Sequence, residues 1–152
     1  MREELNAAVK AAMKAGDKAR LSTLRMMTAA IKDKDIAGRT DGAGAGISDA
    51  EIAELFAKLV KSREDSAKLY DEGGRPELAA KEREEIAVVR EFMPRQMDEA
   101  EAEAAIAALV GEIGAAGPKD MGRVMAALKE RFAGKMDFGK ASGLVKAVLT
   151  GA

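Results

Sequence analysis

The sequence contains no cysteine, no histidine and no tryptophan, and its aromatic residues are one tyrosine and four phenylalanines. Without cysteine there are no disulfides and no thiolate nucleophile. Without histidine there is no Ser-His-Asp triad, no imidazole acid or base and none of the usual zinc sites. The scarcity of aromatics, against an abundance of alanine, leucine, glutamate, lysine and methionine, favours helices packed by aliphatic side chains over sheets. Long hydrophobic runs are missing too, since nothing approaches the roughly 18 consecutive apolar residues of a membrane span. The first segment, MREELNAAVKAAM, carries charges where a signal peptide needs an apolar stretch. The expectation is an all-α, cytoplasmic protein with no membrane association, no metal and no cofactor.

The 152 residues have a net charge of −1, which conceals an uneven distribution. Residues 1–37 hold 8 basic and 5 acidic groups, residues 38–94 hold 9 and 13, residues 95–116 hold 1 and 5, and residues 117–152 hold 7 and 3. The last stretch is therefore a local footprint for a polyanion, or a set of ordinary surface lysines on helices.

Apolar residues at helical spacing mark seven helices and no strand. Leu5, Val9, Ala12 and Met13 share the first face, which Gly16 stops. Asp17 caps a second helix with Leu21, Leu24, Thr28 and Ile31 inward, fading by Ile36 or Ala37. Gly38 to Ile47, with four glycines, reads as a mobile loop. It is no phosphate loop, because Gly-Lys-Ser/Thr does not follow. Ser48 and Glu51 form a capping box for a third helix with Ile52, Leu55, Leu59, Ser62, Ser66 and Leu69 on its seam. Gly73-Gly74 turns the chain into a fourth helix opened by Pro76, with Leu78, Ile86, Val89 and Phe92 inward.

Met93-Pro94 is the predicted boundary between an N-terminal four-helix domain, 1–93, and a C-terminal three-helix bundle, 94–152. Asp98 and Glu101 cap the fifth helix, with Ile106, Leu109, Val110 and Ile113 inward. Pro118 opens the sixth, with Met121, Val124, Met125, Leu128 and Phe132 inward and Gly134 as its cap. Asp137 caps the seventh, with Ala141, Leu144, Val145 and Val148 inward. No internal repeat is expected.

No catalytic residue emerges. Lys61 beside Ser62 and Ser66 has the residue types of a serine-lysine site, but the lysine points about 100° from Ser62 on a helix and nothing supplies an oxyanion hole. Glu82, Glu84, Glu85 and Glu91 read as a solvated face beside Lys81, Arg83 and Arg90, with Arg63 and Glu85 as an interhelical ion pair.

Lys119, Arg123, Lys129, Arg131, Lys135, Lys140 and Lys146 crowd the last helices, among glycines at 122, 139 and 143. A glycine inside a helix costs roughly 1 kcal/mol relative to alanine. Either close helix packing or close approach of a partner to bare backbone offsets it. Gly122, expected at a helix amino end between Lys119 and Arg123, is the better candidate for a phosphate contact.

The stretches R-x-D-S-x-x-x-Y at 63–70, G-R-P-E-L-A-x-x-E-x-x-E-I at 74–86, M-P-x-Q at 93–96, M-G-x-V-M at 121–125 and G-K-x-D at 134–137 resemble the YqeY family of small bacterial proteins over nearly the whole chain. That family is similar to the tail of the B subunit of glutamine-dependent tRNA amidotransferases, which are carbon-nitrogen ligases. The resemblance implies recognition of the tRNA body, with the kinase and amidase reactions in other domains not expected in this chain. It makes tRNA and an aminoacyl-tRNA or amidotransferase enzyme the expected partners. The implied RNA-facing set is Lys119, Gly122, Arg123, Lys129, Gly134, Lys135 and Lys140. The alternative is an adaptor that docks on a larger enzyme without touching RNA.

Overall fold

Ser48, Asp98 and Asp137 set the frame, because each carboxylate or hydroxyl accepts amide hydrogens that a starting helix leaves without partners. Ser48 accepts from the Glu51 amide while Glu51 accepts from the Ser48 amide, and Asp98 and Glu101 repeat the arrangement. A computed structural model describes residues 1–39 and 46–151. Its helices are α1 (Arg2–Ala15), α2 (Lys18–Arg39), α3 (Asp49–Glu72), α4 (Pro76–Arg90), α5 (Glu99–Ile113), α6 (Met121–Arg131) and α7 (Phe138–Thr150). There is no strand among the described residues. The chain divides into two compact units, Met1–Pro94 and Arg95–Ala152.

In the first unit, Leu5, Leu24, Met27, Ile31, Ile52, Phe56, Val60, Ile86 and Val89 form a dry core. Met13, expected inward, is 55% exposed because it lies on the last turn of α1. Met27 is fully buried where Thr28 was expected; the Thr28 hydroxyl instead donates to the Arg25 carbonyl. The seam of α3 is also displaced: Ile52, Ala53, Phe56, Val60 and Ala67 are buried, whereas Ser62 and Leu69 are exposed and Ser66 is half-buried. Alanines at 53 and 67 permit the close approach of a neighbouring helix that leucines would prevent.

Beyond Val60, α3 continues for twelve residues, about 18 Å at 1.5 Å each. With the first half of α4 it makes an antiparallel arm in which Ala67 and Ala79 are the buried residues. Ion pairs brace the arm: Arg63 with Glu85 at 3.1 Å, Arg90 with Glu64 at 2.6 Å, and Arg83 with Asp71. Glu85 thus faces Arg63, and Glu91 pairs with Arg20 at 2.5 Å, so these two members of the acidic set are structural.

The helix α2 runs through Gly38 and Arg39, past the expected fade. Residues 40–45 of the expected glycine loop lie outside the described residues. Across the two ends of that segment, Asp35 accepts from both Arg2 guanidinium nitrogens, at 2.9 and 2.8 Å, and from the Ile47 amide at 2.8 Å. Arg2 also donates to the Ile47 carbonyl at 2.9 Å. This clasp ties the start of α1, the end of α2 and the entry to α3. Gly46 has φ +79, and a Cβ there would lie 2.8 Å from Asp35 Oδ1. Gly46→Ala is expected to lower the melting temperature by several degrees, measured by circular dichroism, because it combines left-handed strain with a broken clasp.

In the second unit, Ala102, Ile106, Leu109, Val124, Leu128, Met136, Ala141, Val145 and Leu149 form the core. Leu149 takes the place expected for Val148, which is 42% exposed. Pro118 begins a single 3₁₀ turn, Pro118–Asp120, rather than α6 itself. The helix α6 ends at Arg131, so Gly134 does not cap it; Gly134 lies in the following turn with φ +74.

Candidate nucleic-acid interface

The second unit carries its charges in separate places. All four ionisable residues of α5 are glutamates, at 99, 101, 103 and 112, whereas α7 carries Lys140 and Lys146 and no acid. The three arginines of this unit are neutralised: Arg95 by Glu101 at 3.1 Å, Arg123 by Asp120 at 3.3 Å, and Arg131 by Glu112 through two bonds of 2.7 and 2.9 Å. The lysines are not. Lys119, Lys129, Lys135, Lys140 and Lys146 are all exposed, and none forms an ion pair among the described residues.

The predicted set divides accordingly. Lys119 stands exposed on the 3₁₀ turn, which packs against α7. Gly122, Arg123 and Lys129 are exposed on α6, Lys135 in the turn after it, and Lys140 in the first turn of α7. Gly122 and Lys129, seven positions apart, lie on one face of α6. Gly134 does not belong with them. It is buried, and its carbonyl accepts a hydrogen bond from the Gln96 side chain. The adjoining Lys135 carbonyl accepts from the Met97 amide at 2.8 Å, so this turn fastens the chain entering α5 while the lysine side chain projects outward.

One expectation about Gly122 needs correction. A Cβ at Gly122 would meet nothing within 4 Å, and the same holds at Gly143, so close helix packing explains neither glycine. The amino end of α6 follows the 3₁₀ turn and carries no side-chain cap. The Met121 amide donates to the Pro118 carbonyl, and the Asp120 carboxylate stands at this end, accepting from the Ala116 amide at 2.9 Å. At α7, Asp137 accepts from the Gly139 and Lys140 amides at 2.8 and 3.3 Å. A carboxylate therefore caps the amino end of α7, whereas Asp120 makes no side-chain cap on α6 and turns back to Ala116; the lysines on the helix faces are the further anion-attracting feature. The cap at Asp137 is the one the sequence indicates, whereas the pairing of the arginines is invisible to formal charge counting, which gives a paired arginine the same weight as a free lysine.

The Ala116 amide, followed by the Arg123 charge and the Gly117 amide, holds the Asp120 carboxyl below the usual carboxylate range. A depressed native pKa contributes stability that is present above the ordinary carboxylate value and disappears as pH falls through the native value. Asp120→Asn is therefore expected to lower the urea midpoint at pH 7 and to leave it unchanged at a pH below the native value, read by circular dichroism.

This architecture defines an all-helical protein of two units, the second of which displays, on α6, α7 and the adjoining turns, lysines that form no ion pair among the described residues. The chain belongs to the family described as YqeY-like protein, which it matches over residues 2–149. It is similar to proteins named altered inheritance of mitochondria protein 41, mitochondrial. Identity is 29% over 112 residues with that of Lachancea thermotolerans, covering 72% of this chain and 58% of the relative. With that of Saccharomyces cerevisiae S288c it is 31% over 85 residues, covering 56% and 44%. The chain thus spans about half the length of the curated relatives it matches. Those relatives are named as mitochondrial, so their names do not match the cytoplasmic expectation. Among the described residues, no helix is long and apolar enough to cross a membrane.

Proposed function

We propose that this chain is a helical module that binds structured RNA, tRNA above all, alone or beside a tRNA amidotransferase. The observation that carries the reading is the set of five exposed lysines of the second unit that form no ion pair among the described residues. Lysines that neutralise phosphates release counterions, so binding should weaken steeply with salt. Filter binding of total tRNA across a salt series tests this. Lys119→Glu/Lys129→Glu/Lys135→Glu is expected to abolish retention at moderate salt while preserving the helical circular dichroism spectrum. Salt-insensitive binding, or equal binding by the variant, would refute the proposal.

The adaptor reading has its own support in the α3–α4 arm, where Leu69 is 67% exposed beyond the core. Under that reading Leu69→Glu lowers association with a purified amidotransferase in size-exclusion chromatography, and nuclease treatment changes nothing.

A further inference from the structure

The helices α6 and α7 share a short ten-position pattern that periodicity alone concealed. Asp120-Met-Gly-Arg-Val-Met-Ala-Ala-Leu-Lys129 and Asp137-Phe-Gly-Lys-Ala-Ser-Gly-Leu-Val-Lys146 align without a gap. Aspartate is first, glycine third, a cation fourth, a small residue seventh and lysine tenth. Burial follows the same register: Val124 and Ala141 at the fifth position, and Leu128 and Val145 at the ninth, are inside. The third, fourth and tenth positions are exposed in both copies. Each helix therefore presents two cations six residues apart, about 9 Å along its axis and about 120° apart around it, with Ala126 or Gly143 between them on the slanting i, i+3, i+6 row.

Several partners would satisfy positive charge, and three features choose among them. Protein interfaces are anchored by large apolar or aromatic side chains, and these exposed strips contain none. Val148, the one exposed large apolar side chain of the unit, lies on another side of α7. Single-stranded nucleic acid is held by stacking on aromatics, yet Phe132 and Phe138 pack against the core of this unit. Duplex RNA is recognised through backbone phosphates and shape, which asks for cations and an unobstructed surface. The open space above Gly122 and Gly143 supplies the latter.

We infer that α6 and α7 form a duplicated surface for the phosphate backbone of duplex RNA, each copy contributing one pair of cations: Arg123 with Lys129, and Lys140 with Lys146. The inference rests on the RNA-binding reading above and extends it to the form of RNA and to Lys146. Arg123 exchanges its Asp120 partner for a phosphate on binding.

The test uses the full chain, a fluorescent 20-base-pair RNA duplex, a single strand of equal length and total tRNA, each titrated between 50 and 200 mM salt. Arg123→Gln/Lys129→Gln and Lys140→Gln/Lys146→Gln are each expected to flatten the slope of log K against log salt by about 1.8. The fourfold rise in salt then weakens wild-type binding about twelvefold more than either variant's. Lys10→Gln/Lys14→Gln, on exposed positions of α1, is expected to change nothing. Gly143→Gln is expected to raise the melting temperature, as a better helix former, and to weaken duplex binding. If tRNA binds but the single strand binds as tightly as the duplex, or if only one helix's pair matters, this inference fails and the RNA-binding reading stands. If no RNA binds, both fail. If polyglutamate binds with the same dependence on the two cation pairs and displaces the duplex, the surface is a site for acidic protein and the inference is overturned.

Discussion

Leu128→Ala is expected to unfold the second unit at ordinary temperature while the first remains folded. Leu128 is 0% exposed and central to the cluster formed by Ile106, Val124, Val145 and their neighbours. Removing a buried leucine side chain costs about 2–5 kcal/mol, through lost transfer energy and the cavity left behind. A unit of roughly 60 residues has a stability of about 3–9 kcal/mol at the usual 0.05–0.15 kcal/mol per residue, so the substitution removes a large fraction of it. No disulfide, and no zinc site of cysteine or histidine, supplements this small core. Hydrogen exchange resolved by segment checks the result: amides of 102–109, 124–131 and 141–149 should lose protection, and those of 52–60 should keep it.

Phe56→Ala is expected to have the largest effect in the first unit, about 3–5 kcal/mol. Phe56 is 1% exposed and belongs to the core that joins α1 to α4. Phe56 is the one aromatic among the buried residues of this cluster, with Phe92 packed partly buried against that cluster, so mainly aliphatic side chains would have to collapse around the hole. Phe56→Leu should recover most of the loss because the volume change is small. Urea denaturation with circular dichroism detection measures both variants.

Capping chemistry was the most legible part of the fold. Ser48 with Glu51, Asp98 with Glu101, and Asp137 each announced a helix start that the structure reproduces, because a cap depends on residues within three positions of one another. The ion pair between Arg63 and Glu85 was legible as well. The buried face of α3 was legible only in part. Ile52 is buried and Leu55 and Leu59 pack against the core as the apolar row predicts, but Leu69 is exposed while Ala53 and Ala67 are buried. Hydrophobicity ranks a leucine above an alanine, whereas packing distance reverses that preference. The candidate interface shows the same limit. Lys119, Lys129, Lys135 and Lys140 are where sequence placed them, exposed, but Gly134 turned inward because its carbonyl is needed by Gln96, a residue 38 positions away.

The matching registers of α6 and α7 also create a problem for folding. Two helices that present the same buried positions give a collapsing chain two near-equivalent ways to seat them, the competing arrangement that a well-defined native state must disfavour. The copies differ where it counts. Asp137 closes the first turn of its own helix, while Asp120 reaches back to Ala116 after a proline turn. The Lys135 carbonyl takes the Met97 amide, fixing the segment before α7 to the entry of α5. These local bonds, together with the smaller Ala141 and Val145 of α7 where α6 has Val124 and Leu128, distinguish the two helices, so weakening the bonds should slow refolding by populating the swapped order more than it lowers final stability.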